Sequence, residues 1–184
     1  MVSTNLRLHL PRRDLRLGGG AFFALLLQVI AFTAPLGDDV PRRVFVLFSY
    51  IVLIGFVTLN LRRIGISIIG IGLLLNFIAI SANGGLMPVT PETLARGDFP
   101  DDVTIGQWVP GSKDVLLERE DVRLWALGDR YVLDSGPATL AYSVGDAFIL
   151  GGLLVFLAEM LLPRISRKQA EAPARDSEPQ DGER

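Results

Sequence analysis

Four uninterrupted apolar runs constrain this chain more than any other feature: Gly18 to Pro35, Val44 to Leu61, Ile64 to Ile80 and Val144 to Leu162. A helix crossing a hydrocarbon core of about 30 Å needs about 17 to 25 predominantly apolar residues, and each run has that length. The apolar residues fall in blocks rather than in strand-like alternation. With 49% hydrophobic residues and a mean hydropathy of +0.39, the chain has more apolar material than one water-soluble core of 184 residues requires. The expected fold is therefore an all-α membrane protein with four transmembrane helices. A basic N-terminus (1–17) precedes a membrane domain (18–163), which includes a large external loop (81–143) between helices 3 and 4. The tail, 164–184, is charged and Pro-containing with almost nothing apolar to bury, and reads as disordered.

Arginines set the orientation, because short loops rich in basic residues stay in the cytoplasm. Arg7, Arg12, Arg13 and Arg16, the Arg62-Arg63 turn, and Arg164, Arg167 and Lys168 all fall on one side of a four-span bundle. Both termini are then cytoplasmic, and the 81–143 interval faces the exterior. Arg42 and Arg43 dissent, in what reads as a short connection closed by Pro41, but Asp38 and Asp39 sit beside them. The first run is long for a signal-peptide core, and no small-x-small cleavage site follows it before Gly37.

The composition excludes several chemistries. The absence of cysteine removes disulfides, thiolate metal sites and a cysteine nucleophile. The single histidine, His9, lies in the arginine-rich start and reads as exposed, so neither a histidine-ligated metal nor a Ser-His pair is expected, and no cofactor. Acidic residues exceed basic ones in the external interval, which gives no support to nucleic-acid binding.

The candidate residues lie at the two ends of that interval. Asn83-Gly84-Gly85 is a turn signal suited to capping a helix, since Asn and Gly accept positive φ at little cost. Pro88 and Pro91 then keep the chain out of a long helix, although Thr90 and Pro91 can open a short one. Val115-Leu116-Leu117 reads as a short strand, Trp108 as an interfacial aromatic, and Val122, Leu124, Trp125 and Leu127 as residues along the bilayer surface. Asp129 follows Gly128, and Asp146 follows Ser143 and Gly145 at the start of the last run. Two readings stay open for the aspartates. In one, Asp146 is a first-turn helix carboxylate capped by Ser143, and Asp129 pairs with Arg123 or Arg130 or serves a turn. In the other, they approach each other, share a proton and activate water. Within the spans, the amides of Gln28, Asn60 and Asn76 are expected to bond neighbouring helices, and Glu159, close to the cytoplasmic end, to snorkel or pair with Arg164.

The ordered motifs Ala82-Asn83-Gly84-Gly85-Leu86-Met87-Pro88-Val89, Leu127-Gly128-Asp129 and Ser143-Val144-Gly145-Asp146 resemble a bacterial multi-pass membrane family, DUF5317. That resemblance implies a bacterial plasma-membrane protein and carries no activity; the family pattern includes a hydrophobic segment ahead of the basic stretch, from which this sequence departs. Gly128-Asp129-Arg130 and Val144-Gly145-Asp146-Ala147 also look like shortened forms of the two aspartate motifs of lipoprotein signal peptidase, without their asparagines. The function expected is that of a membrane protein meeting a partner or small ligand through its external loop. The alternative is an aspartate-dependent intramembrane hydrolase using Asp129 and Asp146.

Overall fold

The computed structural model describes residues 15–34, 36, 39–99, 102–134 and 139–161. His9, the remainder of the basic N-terminus, the expected partner Arg164 and the 164–184 tail lie outside them. The apolar runs form four helices: α1 (Gly18–Thr33), α2 (Asp39–Asn60), α3 (Ile64–Ala82) and α5 (Val144–Leu161). Of these, α2, α3 and α5 are long and apolar enough to cross a membrane. α1 has 16 residues and so spans about 24 Å, short of the hydrocarbon core. The expectation of four crossing helices is thus met by three and a shorter apolar fourth.

The loop expected around Pro41 is the first turn of α2. Proline is tolerated there because its missing N–H would have had no intrahelical partner. Arg42 is buried rather than solvated. Its Nε donates to the Ala31 carbonyl at 2.8 Å, its Nη1 meets Asp39 Oδ1 at 2.9 Å, and its guanidinium lies 3.6 Å from the Trp108 ring centre. The arginine therefore satisfies a carbonyl in the last turn of α1 while covering an aromatic from the interhelical segment.

Helices pack in the order α1, α2, α3, α5, with the tightest contact between α3 and α5. Glycines create it. A Cβ on Gly72 would collide with the Gly145 carbonyl and Ile149, one on Gly65 with the Phe156 backbone, and one on Gly152 would stand 2.6 Å from Ile69 N. The two helices run antiparallel with these glycines facing one another, so the backbones meet without intervening side chains. The other faces of α5 are open and apolar, with Phe148, Leu150, Leu154 and Leu161 exposed, as suits a lipid-facing helix.

Between α3 and α5 the chain folds back on the helix ends. Asn83 ends α3, and Gly84 and Gly85 take φ of +79° and +99°, values available to glycine without Cβ strain. The chain then enters β1 (Met87–Val89), buried along its length. β1 pairs in parallel with β2 (Asp114–Leu116), Met87 opposite Asp114. On its other edge the Asp129 N–H donates to the Pro88 carbonyl at 3.0 Å. Pro88 directs its backbone to this second edge, so its missing N–H removes no bond to β2. A short helix, α4 (Pro91–Leu94), follows β1 as the Thr90-Pro91 signal anticipates, though Thr90 makes no side-chain cap bond. A 3₁₀ turn (Trp125–Leu127) stands where a surface element was expected, and a hairpin, β3 (Tyr131–Asp134) with β4 (Thr139–Tyr142), leads into α5.

Candidate functional site

The ends of the interhelical segment meet over α3 and α5, and a lysine that sequence reasoning passed over is at the centre. Lys113 immediately precedes β2, and its carbonyl accepts the Met87 N–H at 2.9 Å, which fixes its backbone to β1. Its Nζ lies 2.6 Å from Asp146 Oδ2 and 3.5 Å from Asp129 Oδ2. The two aspartate oxygens can therefore be no further apart than the sum of those distances, and the ammonium stands between them. Neither Arg123 nor Arg130, the partners considered for Asp129, supplies this charge.

Asp146 occupies a capping box. Ser143 Oγ accepts the Asp146 N–H at 3.0 Å while Asp146 Oδ2 accepts the Ser143 N–H at 3.0 Å. Asp146 Oδ1 accepts from Asn76 Nδ2 at 2.8 Å, linking α5 to α3. Ser143 Oγ, with one proton to give, lies 2.8 Å from Asn76 Oδ1 and 2.9 Å from Asp146 Oδ2. Asn76 is fully buried, and Tyr50 of α2 faces it. Gly145 is part of the same construction, because a Cβ there would strike Asn76 Oδ1. Gly128 is also closely packed, against backbone: its Cβ would stand 2.9 Å from the Pro88 carbonyl oxygen.

Asp129 is held differently. Its side chain is 0% exposed, against 28% for Asp146 and 16% for Lys113. Among the described residues, neither Asp129 Oδ1 nor Oδ2 accepts a hydrogen bond, and Asp114 Oδ1 accepts none either. Lys113 contributes a charge contact to Asp129 but not a hydrogen bond. The remaining neighbour of Asp129 is the Asp114 carboxyl, and two carboxyls can bond each other only through a shared proton. Burial pushes Asp129 well above the usual carboxylate range; Lys113 pulls it back, and Asp114 and Asp146 push it further up. Burial raises Asp114 too, with Lys113 opposing. For Lys113, burial acts to lower the pKa, but the surrounding Asp129, Tyr50, Asp146 and Asp114 outweigh it and hold the ammonium charged. The site is thus an ammonium ion-paired with Asp146 and in charge contact with Asp129, with the Asp114 carboxyl beside Asp129 and burial acting against the charged form of both.

The other motif residues support this arrangement from outside. Asn83 Nδ2 donates to the Ala79 and Arg123 carbonyls, each at 2.8 Å, and its Oδ1 accepts the Arg123 N–H at 2.9 Å. Arg43 Nη1 donates to the Gly84 carbonyl at 2.8 Å, tying α2 to the same turn. Pro88 is fully buried in β1. Trp108 is half-buried under Arg42, with its Nε1 bonded to the Ser112 carbonyl at 2.7 Å.

A model of the family of unknown function DUF5317 matches residues 14–158, which takes in every motif described above. The chain belongs to the DUF5317 family. No curated protein and no solved structure matches it, so the partial likeness of the aspartate motifs to signal peptidase rests on those residues alone. In this DUF5317 protein the described residues contain no group of three or more His, Asp or Glu side chains placed to hold a metal ion. An apolar groove lined by Leu17, Gly20, Val52 and Phe56 lies between α1 and α2 at the other end of the bundle from Lys113. Lys113 and Asp114 went unread because their partners lie tens of residues away. One signal was present: Lys113 and Lys168 are the only lysines in an arginine-rich chain, and lysine supplies a compact point charge where arginine would supply a fork.

Proposed function

We propose that this DUF5317 protein is a four-span bacterial plasma-membrane protein with both termini in the cytoplasm, whose interhelical segment is an external cap that meets a partner or small ligand. The observation that carries the reading is Lys113. It comes from the cap, occupies the position between Asp129 and Asp146, and ties the cap to α5, so the converging carboxylates serve to seat a binding surface. α1 is the fourth span, its shortfall in length met by local thinning of the bilayer around it. The orientation draws on the Arg62-Arg63 turn at one end of α3 and the acidic excess of the segment at the other.

The absence of cysteine makes the test direct. Single cysteines at Asp102 in the cap and at Arg62 in the turn, treated with an impermeant maleimide on intact cells, should label at Asp102 only. Labelling at Arg62 but not at Asp102 would reverse the topology and remove the external cap.

A second reading has one observation in its favour. The two aspartates share a site in which one is sealed, with burial raising its pKa, and the other is partly exposed and ion-paired, an asymmetry of the kind that acid–base hydrolysis uses. It requires Lys113 to move aside for water. Its test is cleavage of a membrane-anchored peptide by the wild type and by Asp129→Asn and Asp146→Asn; full activity in either variant removes it.

A further inference from the structure

The rim of the cap beside the ends of α3 and α5 carries a set of groups that the Lys113 contacts do not use. Asn83 caps α3 and grips both backbone polar groups of Arg123, so the residue after it, Leu124, is held at the mouth of a membrane-spanning helix. Leu124 sits in the left-handed region at φ +56° with its side chain 50% exposed. Trp125 follows, with the Arg119 guanidinium 4.1 Å and the Arg130 guanidinium 4.4 Å from its ring centre. Arg130 also lies 4.8 Å from the Tyr131 ring, which stacks on Tyr142 at 5.4 Å. Tyr142 immediately precedes Ser143, the residue that caps α5. The rim is thus pinned at two helix mouths, and the hairpin presents its Tyr131 and Tyr142 rings beside the arginines.

We propose that this rim rests in the headgroup layer of the bilayer, with Leu124 in the upper acyl region and Arg119 and Arg130 on the phosphates of anionic phospholipids. Three features point to lipid as the occupant. The 3₁₀ turn of the rim packs against both α3 and α5, which carry exposed apolar residues. Its aromatics are Trp and Tyr, whose rings combine an apolar body with a polar tip and concentrate at membrane interfaces. Its cations stack on those rings within a segment that is otherwise acidic, so positive charge is gathered at the level where lipid phosphates lie. The inference rests on α3 and α5 spanning the bilayer.

The test uses the full chain in phosphatidylcholine vesicles with and without phosphatidylglycerol, spin-labelled at single cysteines replacing Leu124, Leu154 or Asp102. Accessibility to oxygen relative to a nickel chelate reads depth. The Leu124 label should fall between the lipid-facing Leu154 and the aqueous Asp102. It should shift toward the lipid value when phosphatidylglycerol is present, and lose that shift when Arg119→Gln and Arg130→Gln are combined. A Leu124 label as aqueous as Asp102, with Leu154 in lipid, overturns the rim assignment and leaves the spans intact. An aqueous Leu154 label removes the spans themselves. Spin–spin broadening at Leu124 that persists on dilution in lipid assigns the rim to a second copy of the chain and also overturns the proposal, as does a depth that ignores phosphatidylglycerol.

Discussion

Lys113→Met and Asp129→Asn touch the same cluster and should differ sharply in effect. Methionine keeps much of the lysine stem but leaves Asp146 without its 2.6 Å partner and Asp129 without its nearest cation. Removing one member of a buried ion pair costs about 3–5 kcal/mol, since the other charge stays buried. Asp146 is 28% exposed, so water recovers part of that loss and the lower half of the range is expected. Asp129→Asn is nearly isosteric and replaces a carboxyl whose charged form burial already disfavours. Its amide can donate to Asp114 Oδ1, which among the described residues has no other donor, so the change should lie within about 1 kcal/mol of wild type and is as apt to stabilise. The assay is reversible unfolding in mixed micelles by titration with a denaturing detergent, followed by tryptophan emission at pH 7. Equal losses in the two variants would refute the reasoning, because they would mean that Asp129 is an ionised partner of Lys113.

The pH dependence follows from the same carboxyl. Its folded pKa is raised, so its contribution to stability is complete below the unfolded value of about 3.9 and is lost as pH rises through the folded value. The stability of wild type relative to Asp129→Asn should therefore fall as pH rises above about 4, and a difference independent of pH would contradict this. Gly145→Ala should cost about 1–3 kcal/mol by forcing a methyl group against Asn76. Gly151→Ala, further along α5 with open space at the Cβ, should be neutral or slightly stabilising in the same titration. Glu159→Ala should cost about 1 kcal/mol, because Glu159 Oε1 accepts the Ile64 N–H at 3.0 Å at the start of α3. Glu159→Gln, which keeps the acceptor, should recover most of that loss.

Much of the fold was legible because lipid imposes a length rule on helices. The third and fourth runs match α3 and α5 to within two residues at each end, and Asn83, Gly84 and Gly85 form the helix end that their chemistry suits. The Ser143 to Asp146 spacing similarly signals a capping box. Where reading failed, a distant partner had changed the meaning of a local pattern. Pro41-Arg42-Arg43 carries the marks of a polar loop, and only the Ala31 carbonyl and the Trp108 face make a buried helix of it. Glu159 serves the N-terminus of α3, ninety-five positions away in sequence. Asp129 and Asp146 were weighed as a pair or as separate groups, and a third residue, thirty-three positions from Asp146, decides how they sit. Such convergence leaves no periodicity and no spacing to detect.

The glycine seam between α3 and α5 also has a consequence for biogenesis. In the proposed topology the two helices that fit most closely are the packed pair separated by the longest stretch of chain, so they cannot associate as a hairpin during insertion as α1 with α2 or α2 with α3 can. At about 5–20 residues per second, α3 waits on the order of several seconds for its partner to be synthesised. During that delay Gly65 and Gly72 present bare backbone to the bilayer, and Asn76 has no Asp146 to bond. A nascent chain stalled just before Val144 is then the form most exposed to wrong helix pairing and to membrane quality control, and α5 is the segment whose arrival ends that exposure.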